Sequence, residues 1–149
     1  MAHWCLLVTV CMLLEASILC AQDISAQIGQ IKVMTGQVYI VRDHVQKVAQ
    51  AGDMLQQSDT VLTGDASSVG ITFIDDSRFS AGPHSRIELE QFLFNPTTHD
   101  GMFSIKIARG TLAVISGNIA KRSENAMQVR TPTTILGVRG TKFLVKVDE

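Results

Sequence analysis

The sequence predicts an all-β fold of about ten short strands, arranged as an antiparallel β-sandwich, a jelly roll or a short solenoid. Three observations predict it. Several segments alternate with the period of a half-buried strand, most cleanly Phe103, Ile105 and Ile107 against Ser104, Lys106 and Ala108. Turn-forming clusters recur between them, the clearest being Asn-Pro-Thr-Thr-His-Asp-Gly at residues 95–101. No stretch repeats apolar residues at helical spacing for the length of an amphipathic helix.

Residues 1–21 read as a secretory signal peptide, ahead of one domain over residues 22–149. Residues 6–14 form a nearly unbroken apolar run, too short to cross a bilayer and long enough for the core of a signal. Cleavage is expected after Ala21, and the product is expected in the periplasm or outside the cell. His3 is the only basic group ahead of the run, Glu15 follows it, and Leu19 occupies the −3 position, so an uncleaved N-terminal anchor is the alternative. Lipidation of Cys20 is the other route to a membrane, and the large Leu19 before it argues against that route. All three cysteines, Cys5, Cys11 and Cys20, lie in the signal, which leaves the domain without a disulfide framework or thiolate chemistry. Thirteen Lys and Arg balance fourteen Asp and Glu, and this neutrality argues against a nucleic-acid partner, which needs a basic face.

Within the domain, residues 28–34 and 37–41 flank Thr35-Gly36 and read as an opening hairpin. In the second segment Val38, Ile40 and Arg42 share one side, and Tyr39 and Val41 the other, so either face is a candidate for burial. Arg42-Asp43-His44 turns the chain into residues 45–48. Residues 51–65 hold two short apolar pieces punctuated by Gly52-Asp53 and Gly64-Asp65, where an Asp closes a turn on its own backbone. Residues 69–74 alternate until Asp75-Asp76-Ser77 breaks them, and residues 78–81 lead into Gly82-Pro83. In residues 85–94, Ile87 and Leu89 oppose Glu88 and Glu90, yet Phe92 and Phe94 take the parity of the glutamates. A bulge near Gln91 restores the register, because one inserted residue moves every later side chain to the other face.

After residues 102–108, Gly110 precedes Leu112 and Val114 on one face. Residues 117–125 are polar and charged and read as an exposed loop with one helical turn, and residues 127–130 lead into the final stretch, residues 131–147. There Pro132 can start a strand but not sit inside a ladder. Gly137 and Gly140 bracket Arg139 and mark a bulge or a close backbone approach. Phe143, Val145 and Val147 then face away from Lys142 and Lys146, the pattern of a half-buried last strand.

No catalytic, metal-binding or cofactor-binding set emerges. His44, His84 and His99 stand singly in turns, whereas zinc needs three or four convergent ligands. Asp53, Asp59, Asp65, Asp75 and Asp76 do not follow the spacing of a calcium loop and read as turn residues. Glu88 and Glu90 lie about 7 Å apart on one strand face, the pattern of a solvated face rather than of a glycosidase pair. Ser80, Ser85 and Ser116 lack a nucleophile elbow. Arg139, a cation inside an apolar stretch, is expected to tie the fold together by bridging to Asp75 or Asp76. The other reading is an exposed contact for a partner.

These residues together resemble the FecR domain family of the bacterial envelope. Gly36, Val38, Val41 and Arg42 are similar to its opening hairpin. Gly52, Leu55, Asp59, Val61, Thr63 and Gly64 resemble its G-x-x-L-x-x-x-D-x-V-x-T-G stretch. Asp75-Asp76-Ser77 stands for its Asp-Gly-Ser turn, with Pro83 and Ser85 after it, and Asp76 tolerates the left-handed backbone of the missing glycine better than most residues. Gly110 and Leu112 match its Gly-x-hydrophobic turn. Thr131 and Pro132, with Gly137, Val138, Arg139, Gly140, Thr141 and Phe143, match its most specific motif. The resemblance spans residues 28–147 and implies an antiparallel jelly-roll-like sandwich.

The best-known member of the family passes a siderophore-uptake signal from an outer-membrane receptor to a cytoplasmic sigma factor. This chain has no counterpart of the sigma-binding segment or the internal membrane helix, so the resemblance implies the fold and compartment more than the pathway. The expected function is therefore a non-enzymatic envelope module for protein interaction or signalling, contacting an envelope protein through its C-terminal edge strand. The alternative is a carbohydrate- or cell-wall-binding domain, disfavoured because Trp4 lies in the signal and Tyr39 is the only other residue of the Trp and Tyr class.

Overall fold

The computed structural model describes residues 26–148, so the signal peptide and Cys20 lie outside the described residues. Strands form where the alternation places them. The first part of the chain supplies β1 (Gln27–Thr35), β2 (Val38–Arg42), β3 (Val45–Val48), β4 (Met54–Gln56), β5 (Thr60–Thr63) and β6 (Ser68–Phe73). The second supplies β7 (Arg78–Ala81), β8 (Arg86–Phe94), β9 (Gly101–Ile115), the short helix α1 (Asn118–Arg122), β10 (Met127–Arg130), β11 (Ile135–Val138) and β12 (Lys142–Val147). The class is all-β, as expected, with twelve strands hydrogen-bonded into one curled sheet. Every pairing is antiparallel except that of β10 with β9.

β9 belongs to both ends of the curl. Up to Arg109 it pairs with β8 and β10, and from Gly110 onward with β7 and β12. One half of the sheet therefore runs β3-β2-β5-β8-β9-β10-β11, and the other runs β12-β9-β7-β6-β1-β4. Their apolar faces meet inside. Phe73 and Phe79 of the second half approach Phe103 of the first with ring centroids at 4.7 and 5.4 Å, and Phe92 meets Phe103 at 4.7 Å. Ile31, Leu55, Ile71 and Leu112 face Ile87, Leu89, Ile105 and Ile107 in the same buried cluster. Each such side chain stabilises the fold by about 1.5–3 kcal/mol relative to exposure.

The bulge expected near Gln91 is present. The β8–β9 register shifts between Leu89 and Gln91, which returns Phe92 to the interior after Ile87 and Leu89 and leaves Gln91 in solvent. Two expectations need correction. Residues 28–41 do not form a hairpin, since β1 pairs with β4 and β6 while β2 pairs with β3 and β5. The chain instead crosses between the halves at Gly36, whose φ of 73° and close approach to Ser67 exclude a side chain. Ser67 Oγ then accepts the Gln37 amide at 2.9 Å and holds the crossover. Residues 117–125 do contain the helical turn, α1, and Lys121 to Asn125 are exposed as expected, but Gly117, Ile119 and Ala120 are buried, so the first part of the segment is docked.

Candidate functional site

The final strand completes one half of the sheet and leaves its own far edge open. β12 pairs with β9 from Lys142 opposite Ile115 to Val147 opposite Gly110. Thr141 O accepts the Ser116 amide at 3.1 Å and the Ser116 hydroxyl at 3.0 Å, which sets the phase of the ladder. In an antiparallel ladder the bonded groups alternate. Phe143, Val145 and Val147 therefore bond towards β9, and the N–H and C=O groups of Lys142, Leu144 and Lys146 point to the open edge. Among the described residues no strand pairs with that edge. The side chains alternate as expected, with Val145 buried, Phe143 and Val147 half-buried against the core, and Lys142, Leu144 and Lys146 exposed.

The remaining signature residues build turns that brace this arrangement. The Gly64 amide follows β5 and donates to Gln37 O at 2.9 Å. Asp75, Asp76 and Ser77 join β6 to β7 and anchor the start of α1. The Asp75 carboxylate is wholly buried and accepts the Ser77 amide at 3.1 Å and the Ser77 hydroxyl at 2.7 Å. Ser77 Oγ accepts the Gly117 amide at 2.9 Å, Asp75 O accepts the Asn118 amide at 2.7 Å, and the Asp76 carboxylate accepts the Asn118 side-chain amide at 2.9 Å. Burial pushes the Asp75 carboxyl above its ordinary range, against the Ser77 hydrogen bonds, which pull it down. Asp76 takes the left-handed conformation, φ 67°, which its short side chain tolerates.

Pro83 and Gly110 both lie against Ser85, beside the point where β9 changes partners. Ser85, buried there, accepts the Thr111 amide on its hydroxyl at 3.1 Å and donates its own amide to Thr63 Oγ1 at 2.8 Å. A Cβ on Gly110 would lie 2.7 Å from Ser85 Cβ, and its φ is 94°, so only glycine fits. Thr131 and Pro132 open the turn from β10 to β11, outside the ladder, with Thr131 Oγ1 accepting the Thr134 amide at 3.0 Å. Gly137 lies in β11 against the side chain of Asn125, and Gly140 has a positive φ in the link to Thr141 and Phe143.

Arg139 corrects the expectation placed on it. It reaches neither Asp75 nor Asp76; it is exposed and pairs with Glu124, itself exposed. The tie that the sequence reading assigned to Arg139 is made by Arg42 instead. Arg42 Nε and Nη2 donate to the two carboxylate oxygens of Asp59 at 2.8 and 2.7 Å, and Asp59 is completely buried. Asp59 also accepts the Gln56 amide at 2.8 Å, and Arg42 Nη2 bonds Met54 O at 3.1 Å. The hydrogen bond to Asp59 raises the Arg42 pKa above its already high value, against a smaller opposing effect of burial. One signal was available in the sequence: Arg42 shares the parity of Val38 and Ile40, the buried side of β2.

Glu88 and Glu90, the carboxylate pair weighed against a solvated face, line a polar depression of about 440 Å³ with Ser58, Thr60, Ser104 and Arg130. Each carboxylate is engaged there. Glu88 faces Arg86 at 3.1 Å and Lys106 at 3.5 Å, and Glu90 accepts Ser104 Oγ at 3.0 Å and faces Arg130 at 3.3 Å. His44, His84 and His99 occupy turns at positive φ, as expected of turn residues. Among the described residues no helix is long and apolar enough to cross a membrane.

The family model described as FecR protein matches residues 59–149, from Asp59 in the turn before β5 to the end of the chain. No curated protein and no solved structure matches the chain.

Proposed function

Because the chain belongs to the FecR protein family, we propose that it is a non-enzymatic signalling or protein-interaction module of the bacterial envelope, engaged by an envelope protein along the open edge of β12. In this reading the chain is exported to the periplasm or beyond, and its two facing half-sheets are a jelly-roll-like wrap. The open edge carries the reading. An extended segment of a partner laid beside β12 pairs with the outward N–H and C=O groups of Lys142, Leu144 and Lys146, and main-chain hydrogen bonds of this kind supply affinity in strand addition. Lys142 and Lys146 meanwhile discourage edge-to-edge pairing of identical copies.

Leu144→Pro tests it, because it deletes one outward donor at an edge position where proline is tolerated. In cells carrying a photo-crosslinking residue at Lys146, the wild-type chain is expected to give a discrete crosslinked envelope protein, and Leu144→Pro to lose it while keeping a cooperative melt. Undiminished crosslinking in a folded Leu144→Pro chain would sink the edge reading. The carbohydrate alternative has one observation in its favour, the polar depression around Glu88, Glu90, Ser104 and Arg130, but no aromatic face lines it for a sugar ring to stack on. Saturable binding to purified peptidoglycan, lost in Glu90→Gln, would promote it.

A further inference from the structure

The outward faces of the two half-sheets carry charge in different ways. On the β8-containing half the cations are neutralised by Glu88 and Glu90. On the other half, the outward strand positions hold Lys32, Arg78, Lys142 and Lys146 and neither Asp nor Glu. Lys146 reaches Asp148 at 3.0 Å, and both are exposed. Among the described residues no carboxylate stands within ion-pair distance of Lys32, Arg78 or Lys142. A nearly neutral chain has thus gathered unpaired cations on one face.

The same face is low in the middle and aliphatic around it. Leu144, Ala113, Ser80, Gly70 and Val33 are successive neighbours across the strands, so small residues separate Leu144, 65 % exposed, from Val33, 66 % exposed. In the adjacent row Ile115, between Lys142 and Arg78, is also exposed, as is Met54 at the far edge. Across six strands at about 4.8 Å the face is about 24 Å wide. No aromatic residue occupies an outward position on it, which removes the stacking surface that sugars and bases use. Cations without acids select an anionic partner, and aliphatic side chains standing among them suit a surface whose apolar layer lies just below its charges.

We propose that this face seats the domain on an anionic phospholipid bilayer. Lys32, Arg78, Lys142 and Lys146 contact headgroup phosphates, and Leu144 and Ile115 enter the interfacial layer. The proposal concerns the side chains of β12 rather than its outward backbone groups, so it stands or falls separately from strand addition.

Flotation of the full chain with two kinds of vesicle tests it: phosphatidylcholine alone, and phosphatidylcholine with one third phosphatidylglycerol. The N-terminal apolar run has no Lys or Arg, so it contributes alike to both, and the ratio of anionic to neutral binding reads the face. The ratio is expected to be high at low salt and to fall as salt shortens the screening length from about 10 Å at 0.1 M to about 3 Å at 1 M. At about five-fold per basic residue, Arg78→Gln, Lys142→Gln and Lys146→Gln together lower it about a hundred-fold, whereas Arg86→Gln, Lys106→Gln and Arg130→Gln, the same change in charge on the other face, leave most of it. Should the triple variant fail to melt cooperatively, Lys142→Gln alone carries the test with its about five-fold loss. Leu144→Ser, which keeps the edge N–H, weakens vesicle binding but not binding to soluble dextran sulfate. Equal ratios on the two vesicle types, equal losses from the two triple variants, or Leu144→Ser vesicle binding matching wild type would each overturn the proposal, the last by making a soluble polyanion the ligand.

Discussion

Arg42 and Arg139 both end in an ion pair with a carboxylate, and the two pairs do different things. Arg42 clasps a carboxylate that has left water altogether, with both oxygens engaged and a backbone amide on the same group. Arg139 and Glu124 are each mostly exposed, at 64 % and 70 % of their side chains, and either can exchange its partner for water. The worth of an arginine is therefore decided by its partner's burial. An exposed pair contributes 0–1 kcal/mol, whereas removing one member of a buried pair leaves a charge stranded.

The comparison breaks most directly at Arg42. Arg42→Leu strands the Asp59 carboxylate, and because Arg42 is itself more than a third exposed the loss is expected at the lower end of the buried range, about 3 kcal/mol by urea denaturation. Asp59→Ala should cost less, about 1–3 kcal/mol, since the guanidinium can turn to water while the Gln56 amide loses its acceptor. A double-mutant cycle then gives the coupling, and additive losses would refute a buried tie. Asp75 sharpens the comparison as a buried carboxylate held by Ser77 and backbone amides. Its folded pKa lies above the unfolded one, so its favourable contribution is complete below the unfolded value near 3.8 and is lost as pH rises through the folded value. The melting temperature of Asp75→Asn relative to wild type should accordingly move in the variant's favour from pH 3 to pH 7; a constant gap would contradict the burial penalty. The smallest effect belongs to Arg139→Leu, expected within about 0.5 kcal/mol of wild type, and a loss comparable to that of Arg42→Leu would erase the distinction.

What could be read from the sequence was what alternation encodes. The strand through Phe103, Ile105 and Ile107, the bulge at Gln91 and the last strand with Phe143 and Val145 inward all follow from a period of two and its interruption. Pairing partners were less legible. Thr35-Gly36 supports a reversal, but a turn residue does not state whether the next strand lies beside the last one or across the core, and Ser67, thirty residues on, makes the decision. The burial of Ile119 and Ala120 was hidden by the polar residues around them, and the bonds that dock the start of their helix, from Gly117 and Asn118 to Ser77 and Asp75, come from some forty residues earlier in the chain. Arg139 misled because its glycine neighbours drew attention to local constraint, when the tie required a carboxylate excluded from water. The open edge of β12 was legible as a last strand bearing lysines, whereas the cationic face needed the register of six strands before its members could be seen as neighbours.

The shared strand β9 has a consequence for how the chain folds. Neither half encloses the phenylalanine cluster without the other, so the domain should lose both together in a single cooperative transition. The pairings that close it, β1 with β6 and β12 with β9, join segments distant in the chain, and topologies dominated by such contacts fold in milliseconds to seconds. The second part of β9 stands well before its last partner in the chain, so the sheet is complete only once residues 142–147 have reached it.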